Sequence, residues 1–269
     1  MQGASADSLV TLTEALTASV DRGADAVRIA DDVFAVSAVL RREPSLRRIA
    51  TDVSIDEDAK VGLVRNIFGD KLAPESLELV SKAAGRRWVS SRDLGYALEL
   101  LGVIAVVKGA DKAEQADALE DELFAFGQLV KDNPELRDAL SDPSRTDDDK
   151  RNLLHSLLDD KVTPATIRLA EQSVTGTHRT VSVAIDEYQK VAAQHRSRLV
   201  ATVRVARAVA DHDAQRLASA LAGQYGRPVH LNVVVDPDII GGMRVEIGDD
   251  VIDGTVLSRL DDARRRLAG

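Results

Sequence analysis

Apolar residues recur along the first two hundred positions with the spacing of one helical face. Leu9, Leu12, Leu16 and Val20 form one stripe, and Ile29, Val33, Val36 and Leu40 form a second that ends near Pro44. Further stripes run through Val61, Val64 and Phe68, and through Leu94, Leu98, Leu101 and Ala105. Leu119, Leu123, Phe126 and Val130 follow, ending near Pro134, and then Leu153, Leu154, Leu157 and Leu158. Val181, Ile185, Tyr188 and Ala192 are the last long stripe. Near residue 197 the period changes to two. Leu199, Ala201, Val203 and Val205 alternate with polar neighbours, as do Val229, Leu231, Val233 and Val235, and then Met243, Val245 and Ile247. Gly248-Asp249-Asp250 reads as a tight turn into a short strand at Val251-Ile252. Asp211 to Gly223 reads as a helix, with Asp211 or Asp213 as cap, Leu217 and Leu221 facing inward and Gly223 as its stop. Thr255 to Leu267 reads as a final helix with Leu257, Leu260 and Leu267 near one face. The pattern predicts an α+β chain: a mostly helical N-terminal region, then a small C-terminal α/β module. The boundary falls between Gln194 and Leu199.

The helical stripes contain an internal repeat. Shifting the chain by 90 residues aligns Phe34 with Phe124, Pro44 with Pro134, and Leu46-Arg47 with Leu136-Arg137. The matches continue without a gap through Asp52 and Asp142, Lys60 and Lys150, Leu63 and Leu153, Asp70-Lys71 and Asp160-Lys161, and Pro74 and Pro164. Two copies of one helical block is the physical reading, and two are too few for an open solenoid, so paired bundles are expected. The expected domains are residues 1–90 (first copy), 91–196 (second copy) and 197–269 (the α/β module).

Composition narrows the chemistry. The 269 residues carry a formal net charge of −9, and the pI is about 5.1, which argues against nucleic acid as the main partner. Cysteine is absent, which excludes disulfides, thiolate metal sites and a cysteine nucleophile. Four Phe, three Tyr and one Trp leave little for stacking platforms. The longest apolar run, Leu100 to Val107, is far shorter than the roughly 20 residues of a membrane-spanning helix. Met1 to Val10 has neither a basic nor an apolar export segment. A soluble, cytoplasmic protein is expected, reaching a membrane only through a partner.

No reactive constellation stands out. Asp147-Asp148-Asp149 could hold a cation, but Asp56-Glu57-Asp58 occupies the matching place in the other copy, again just before a lysine and an apolar stripe. Two occurrences at a helix start favour capping of free N–H groups. The histidines, His155, His178, His195, His212 and His230, form no pair on one helix turn. Gly241-Gly242 lacks the Lys-Ser/Thr of a phosphate loop and reads as a turn needing unusual backbone angles. Asp253 could be an acid at a strand end; a role in ending that strand, with Gly254 permitting a sharp corner, is preferred. Trp88 after Arg86-Arg87 reads as a core residue at a helix end, and Arg264-Arg265-Arg266 as a helix C-terminal charge complement. No catalytic, cofactor-binding or metal-binding residues are expected.

One segment is specific. Val235 to Thr255 contains Ile239-Ile240-Gly241-Gly242, a short strand from Met243, and Val251-Ile252-Asp253-Gly254-Thr255, with Leu260 beyond. It resembles the C-terminal motif of the ATP synthase delta subunit family, which includes the oligomycin-sensitivity-conferring protein. Gly95-Tyr96-Ala97-Leu98 resembles the family's opening helix, and Asn133-Pro134 and Lys150 fall where the family has its Asn-Pro and Lys. The resemblance covers about 91–269. Residues 1–90 depart from the ordinary pattern and resemble the longer actinobacterial form.

The resemblance implies a peripheral-stalk subunit without catalysis of its own. Its helical domain would grip the N-terminal helix of an alpha subunit, in a groove between the family's first and fifth helices. Leu98, Leu101, Ile104, Ile167 and Leu169 are the candidates there. The C-terminal module would grip b-subunit stalk helices, with Leu257 and Leu260 as contacts and Gly241, Gly242, Asp253 and Gly254 shaping the module. The complex implied is the proton-transporting synthase at the cytoplasmic side of the bacterial membrane. The rival readings are a generic helical scaffold with unrelated partners, and a hydrolase using Asp253 or the Asp147 cluster.

Overall fold

The computed structural model describes residues 1–195, 199–226, 228–237, 239–247 and 250–256. Those residues fall into two compact units, Met1–Ala192 and Ala193 onward. The first is all helical: α1 (Ala4–Asp21), α2 (Ala26–Arg42), α3 (Pro44–Thr51), α4 (Glu57–Phe68), α5 (Pro74–Gly85), α6 (Asp93–Lys112), α7 (Ala116–Asp132), α8 (Pro134–Ser141), α9 (Asp147–Leu158) and α10 (Pro164–Thr175). Helix α11 (Val181–His195) ends the helical run. The start and end of every helix from α2 to α5 recur 90 residues later in α7 to α10. The repeat is therefore structural.

The residues that recur are mostly punctuation. Pro44 and Pro134 do not merely stop the preceding helices, as their stripes suggested. Each is the first residue of a new short helix, where proline's missing N–H costs nothing. Pro74 and Pro164 open α5 and α10 in the same way. Asp52 and Asp142 each accept the backbone N–H and the hydroxyl of the serine two residues on, which holds both carboxyls below their usual range. A longer-range cap recurs as well. Asp32 of α2 accepts the N–H of Ala73 at the head of α5, and Glu122 of α7 accepts that of Thr163 at the head of α10.

Helix α6 joins the two copies. It packs against α1, α2 and α5 of the first copy and against α7 and α10 of the second. Leu94, Ala97, Leu98, Leu101, Val103, Ala105, Val106 and Val107 are all buried along it. Where α2 crosses α6, Gly102 faces the ring of Phe34, and Ser37 donates its hydroxyl to the carbonyl of Gly95 at 2.8 Å. The counterpart crossing of α7 and α11 exchanges sizes: Gly127 lies against Ile185, and Gln189 donates to the Leu123 carbonyl. A small residue on one of the two helices lets the axes approach at each crossing. Trp88 is buried, and its indole donates to the Ala83 carbonyl at 2.9 Å.

The second unit is a four-stranded mixed sheet of β1 (Leu199–Val205), β2 (Val229–Val235), β3 (Met243–Ile247) and β4 (Asp250–Asp253), in the order β2-β1-β3-β4. Strands β1 and β2 are parallel and joined by α12 (Asp211–Tyr225); the other pairs are antiparallel. Ala201, Val203, Val205, Val245 and Ile247 form its core with Leu221, while Leu217 and Tyr225 pack alongside. Helix α12 begins after Ala210, which makes no side-chain cap, so neither Asp211 nor Asp213 is the cap. It runs past Gly223 and stops at Gly226, whose φ of 68° is the left-handed conformation a helix end favours. The expected Gly248-Asp249 turn and the helix with Leu257, Leu260 and Arg264–Arg266 lie outside the described residues.

A methyl at Gly102 meets the Phe34 ring, so Gly102→Ala is expected to destabilise the first unit by about 1–3 kcal/mol through overpacking. Urea unfolding measures the loss, and Phe34→Leu in the same chain is expected to recover part of it.

Candidate functional site

Two groups of residues carry polar chemistry within the helical unit. One is built around Glu99, which lies on α6 and is fully buried. Its carboxylate accepts the Tyr188 hydroxyl at 2.5 Å and the Thr177 N–H at 2.5 Å, and His178 Nε2 lies 3.7 Å away. Tyr96 and Tyr188 meet the His178 ring edge-on, with centroids 5.5 and 5.8 Å apart, and Tyr96 donates to Glu187. Burial, then the neighbouring carboxylates, push both phenols well above their ordinary range. A Cβ at Gly176 would stand 2.5 Å from Glu99 Oε1, so the glycine makes room for the carboxylate. The matching positions of the first copy are Leu9, Leu98 and Trp88, an apolar version of the same corner. Residue spacing alone assigns this cluster no role. Its signal was a glutamate in an otherwise apolar helix next to a buried stripe.

The second group is a clasp between α9 and α10. His155 Nδ1 lies 2.8 Å from Asp159, and its Nε2 lies 2.6 Å from Glu171. Hydrogen bonds to the two carboxylates raise the imidazole above its ordinary value. At the start of α9, the other end of that helix, side chains cap the free backbone donors. Thr146 is the cap and forms a reciprocal box with Asp149, which lowers the Asp149 carboxyl. Asp147 is instead drawn to Arg42 at 2.7 Å and Arg41 at 3.6 Å. In the other copy Asp56 caps α4 through the Asp58 N–H. The acidic triplets are therefore helix-start residues, with Asp147 also tying the two copies together.

The candidate alpha-subunit contacts divide. Leu98, Leu101 and Leu169 have no exposed surface and belong to the core, because α6 and α10 are covered on those sides. They present nothing to a partner in this structure. Ile104 and Ile167 are half-buried at the edge of the same core. In the second unit the corner residues come together. Gly242 has φ 84°, and a side chain there would run into the Gly254 carbonyl and stand 2.9 Å from Thr255 Cα. Gly254 donates to the Met243 carbonyl, and Val256 to the Gly241 carbonyl. Asp253 accepts the Thr255 N–H at 2.9 Å and its hydroxyl at 2.7 Å, which lowers the Asp253 carboxyl. These bonds end β4 and turn the chain, as expected of a structural aspartate. Beside the corner, Val209, Leu217, Ile240 and Met243 line a groove. Leu257 and Leu260 lie outside the described residues.

Tyr188→Phe leaves buried Glu99 short of a donor and is expected to cost about 1–3 kcal/mol in urea unfolding, with a smaller loss for Glu99→Gln. A histidine raised on folding adds stability that is complete below its unfolded value of 6.5 and is lost as the pH rises through the folded value. The melting temperature of the helical unit is therefore expected to fall as the pH rises above 6.5, and His155→Gln is expected to flatten that slope.

The family model described as the ATP synthase delta (OSCP) subunit matches residues 104–267. The chain is 51% identical over 269 residues to an ATP synthase subunit delta of Nocardioides sp., covering 100% of this chain and 98% of that one. It is 43% identical to the subunit delta of Streptomyces avermitilis, over 99% of this chain and 98% of that one. A 43% match to the subunit delta of Streptomyces coelicolor covers 100% of this chain and 98% of that one. Both copies of the helical block are thus shared with these relatives, and the chain belongs to the ATP synthase delta (OSCP) subunit family.

Proposed function

We propose that this chain is the peripheral-stalk subunit that joins the catalytic head of an F-type ATP synthase to its membrane-anchored b-subunit stalk. It performs no catalysis. The helical unit holds alpha subunits of the head through their N-terminal helices, and the α/β unit holds the b helices. Rotor torque is thereby resisted, and proton transport drives ATP synthesis. The observation that carries this reading is the match to delta subunits along the whole chain, through both units. Physical features agree with it. No helix among the described residues is long and apolar enough to cross a membrane; in this reading the chain reaches the membrane through its partners, at the cytoplasmic face. Amphipathic helices and a small sheet offer apolar surface for helix-in-groove contacts, which need no reactive group. Gly241, Gly242, Asp253 and Gly254 shape the b-binding corner, and Leu257 and Leu260 follow it as contacts.

The test is a bridging assay with purified head and a soluble b-subunit fragment. The chain is expected to sediment both together. Gly242→Val is expected to keep the head and lose the b fragment, because the side chain cannot fit against Gly254. Failure of the unaltered chain to hold either partner would return the reading to a generic scaffold.

A further inference from the structure

The two copies of the helical block differ at one corner, where the second helix of each block crosses the helix that closes it. In the second copy that crossing joins α7 to α11, and Ile185 of α11 lies against Gly127 of α7. The first copy has Gly95 of α6 in place of Ile185 and Ser37 of α2 in place of Gly127. A Cβ at Gly95 would meet only the Ser37 hydroxyl, at 3.9 Å. With the isoleucine missing, a cavity of about 370 Å³ stays open between α2, α3, the head of α6 and the turn after α10. All four belong to one compact unit.

The lining is basic, in a chain whose net charge is −9. Arg41 of α2, Arg47 of α3 and Arg92 at the head of α6 all line the cavity. Arg47 donates through Nη1 to the Leu40 carbonyl at 3.3 Å, and its Nε is buried without a hydrogen-bond partner. A buried donor left without an acceptor costs about 1–3 kcal/mol. Among the described residues neither Arg47 nor Arg92 has an ion pair. The counterpart of Arg47, Arg137, is exposed and lies 3.8 Å from Asp138, and Ser182 stands in place of Arg92. Nearby carboxylates are held by other donors. Asp93, in the lining, accepts the Ser5 hydroxyl at 2.6 Å and the Ser90 N–H at 3.2 Å. Asp147 lies 3.6 Å from Arg41 but is bound more closely by Arg42, at 2.7 Å.

We propose that this cavity binds a phosphate or diphosphate group, as a free anion or as the end of a small phosphate ester. A carboxylate presents two oxygens, and one guanidinium fork occupies both. A phosphate group has further oxygens for a second and a third fork, so arginines reaching in from α2, α3 and the head of α6 match it. The buried Nε of Arg47 gains its acceptor there, and Arg92 supplies a fork from the solvent side. The volume lies at the low end of small-molecule sites, with room for more than one phosphate group. Thr177, in the turn after α10, belongs to the same lining, so the bound group ties the two copies together. The site needs no partner subunit and stands apart from the stalk reading.

Calorimetric titration of the full-length chain alone tests this, with inorganic phosphate, diphosphate and ADP as probes and the ionic strength held constant with chloride. Saturable binding of at least one probe is expected, together with a higher melting temperature of the helical unit in its presence. Tighter binding of ADP than of diphosphate assigns the site to a phosphate ester, and the reverse order assigns it to the free anion. Arg92→Gln, at an exposed position, is expected to weaken binding about tenfold while leaving the melting temperature of the free chain unchanged. Arg47→Gln is expected to weaken it at least as much. Arg48→Gln, on the same helix as Arg47 but outside the cavity, is expected to bind as the unaltered chain does. Failure of all three probes to bind overturns the site. An equal loss in Arg48→Gln and Arg92→Gln reports diffuse attraction to a basic surface and overturns it as well.

Discussion

The helical unit depends on one constraint, that α6 must complete two bundles at once. A helix in the middle of a chain usually buries one stripe and shows the rest to water. Helix α6 closes the first copy and opens the second, so nearly its whole circumference is buried. Two consequences follow in the sequence. Its stripe broadens into an almost continuous apolar run, and glycines at 95, 102 and 109 let α2 approach closely on one side. The face toward the second copy carries Glu99, a charge in a dry place, and the structure meets that cost with a tyrosine, a backbone N–H and a glycine that steps aside.

Repeat copies can diverge at the core and still superpose because their frame is set elsewhere. Prolines at the helix starts, the Asp-x-Ser turns and the carboxylate that caps the fifth helix recur at the same spacing. Each acts locally on the backbone. The interior meanwhile alternates between solutions, with Leu9, Leu98 and Trp88 in one copy and Glu99, Tyr188 and His178 in the other. Packing tolerates such exchange when volume and direction are kept.

This division explains which features are legible in the sequence. The long helices, the repeat, the period change near residue 197 and the strands were legible, because each rests on spacing or on local backbone chemistry. The corner at Gly242, Asp253 and Gly254 was legible for the same reason. Helices α3 and α8 were hidden, since eight residues make too little of a stripe. Burial of Leu98, Leu101 and Leu169 was hidden more deeply. A helix with apolar residues all round does not say which side a partner covers, and here the chain's own α2 packs along α6. The His155 clasp and the Glu99 cluster join residues from separate helices, and no local pattern announces either.

Sharing α6 also removes any seam at which the helical unit could be divided. A cut ahead of residue 91 leaves α6 with the second copy but strips the covering from Leu94, Leu101, Ala105 and the glycine face. A cut after α6 leaves the first copy whole and takes the opening helix from the second. The doubled block is thus one mechanical body rather than a bundle with an attachment. A pull on α1 is carried to α10 through a single continuous helix, with no hinge loop between the copies to yield.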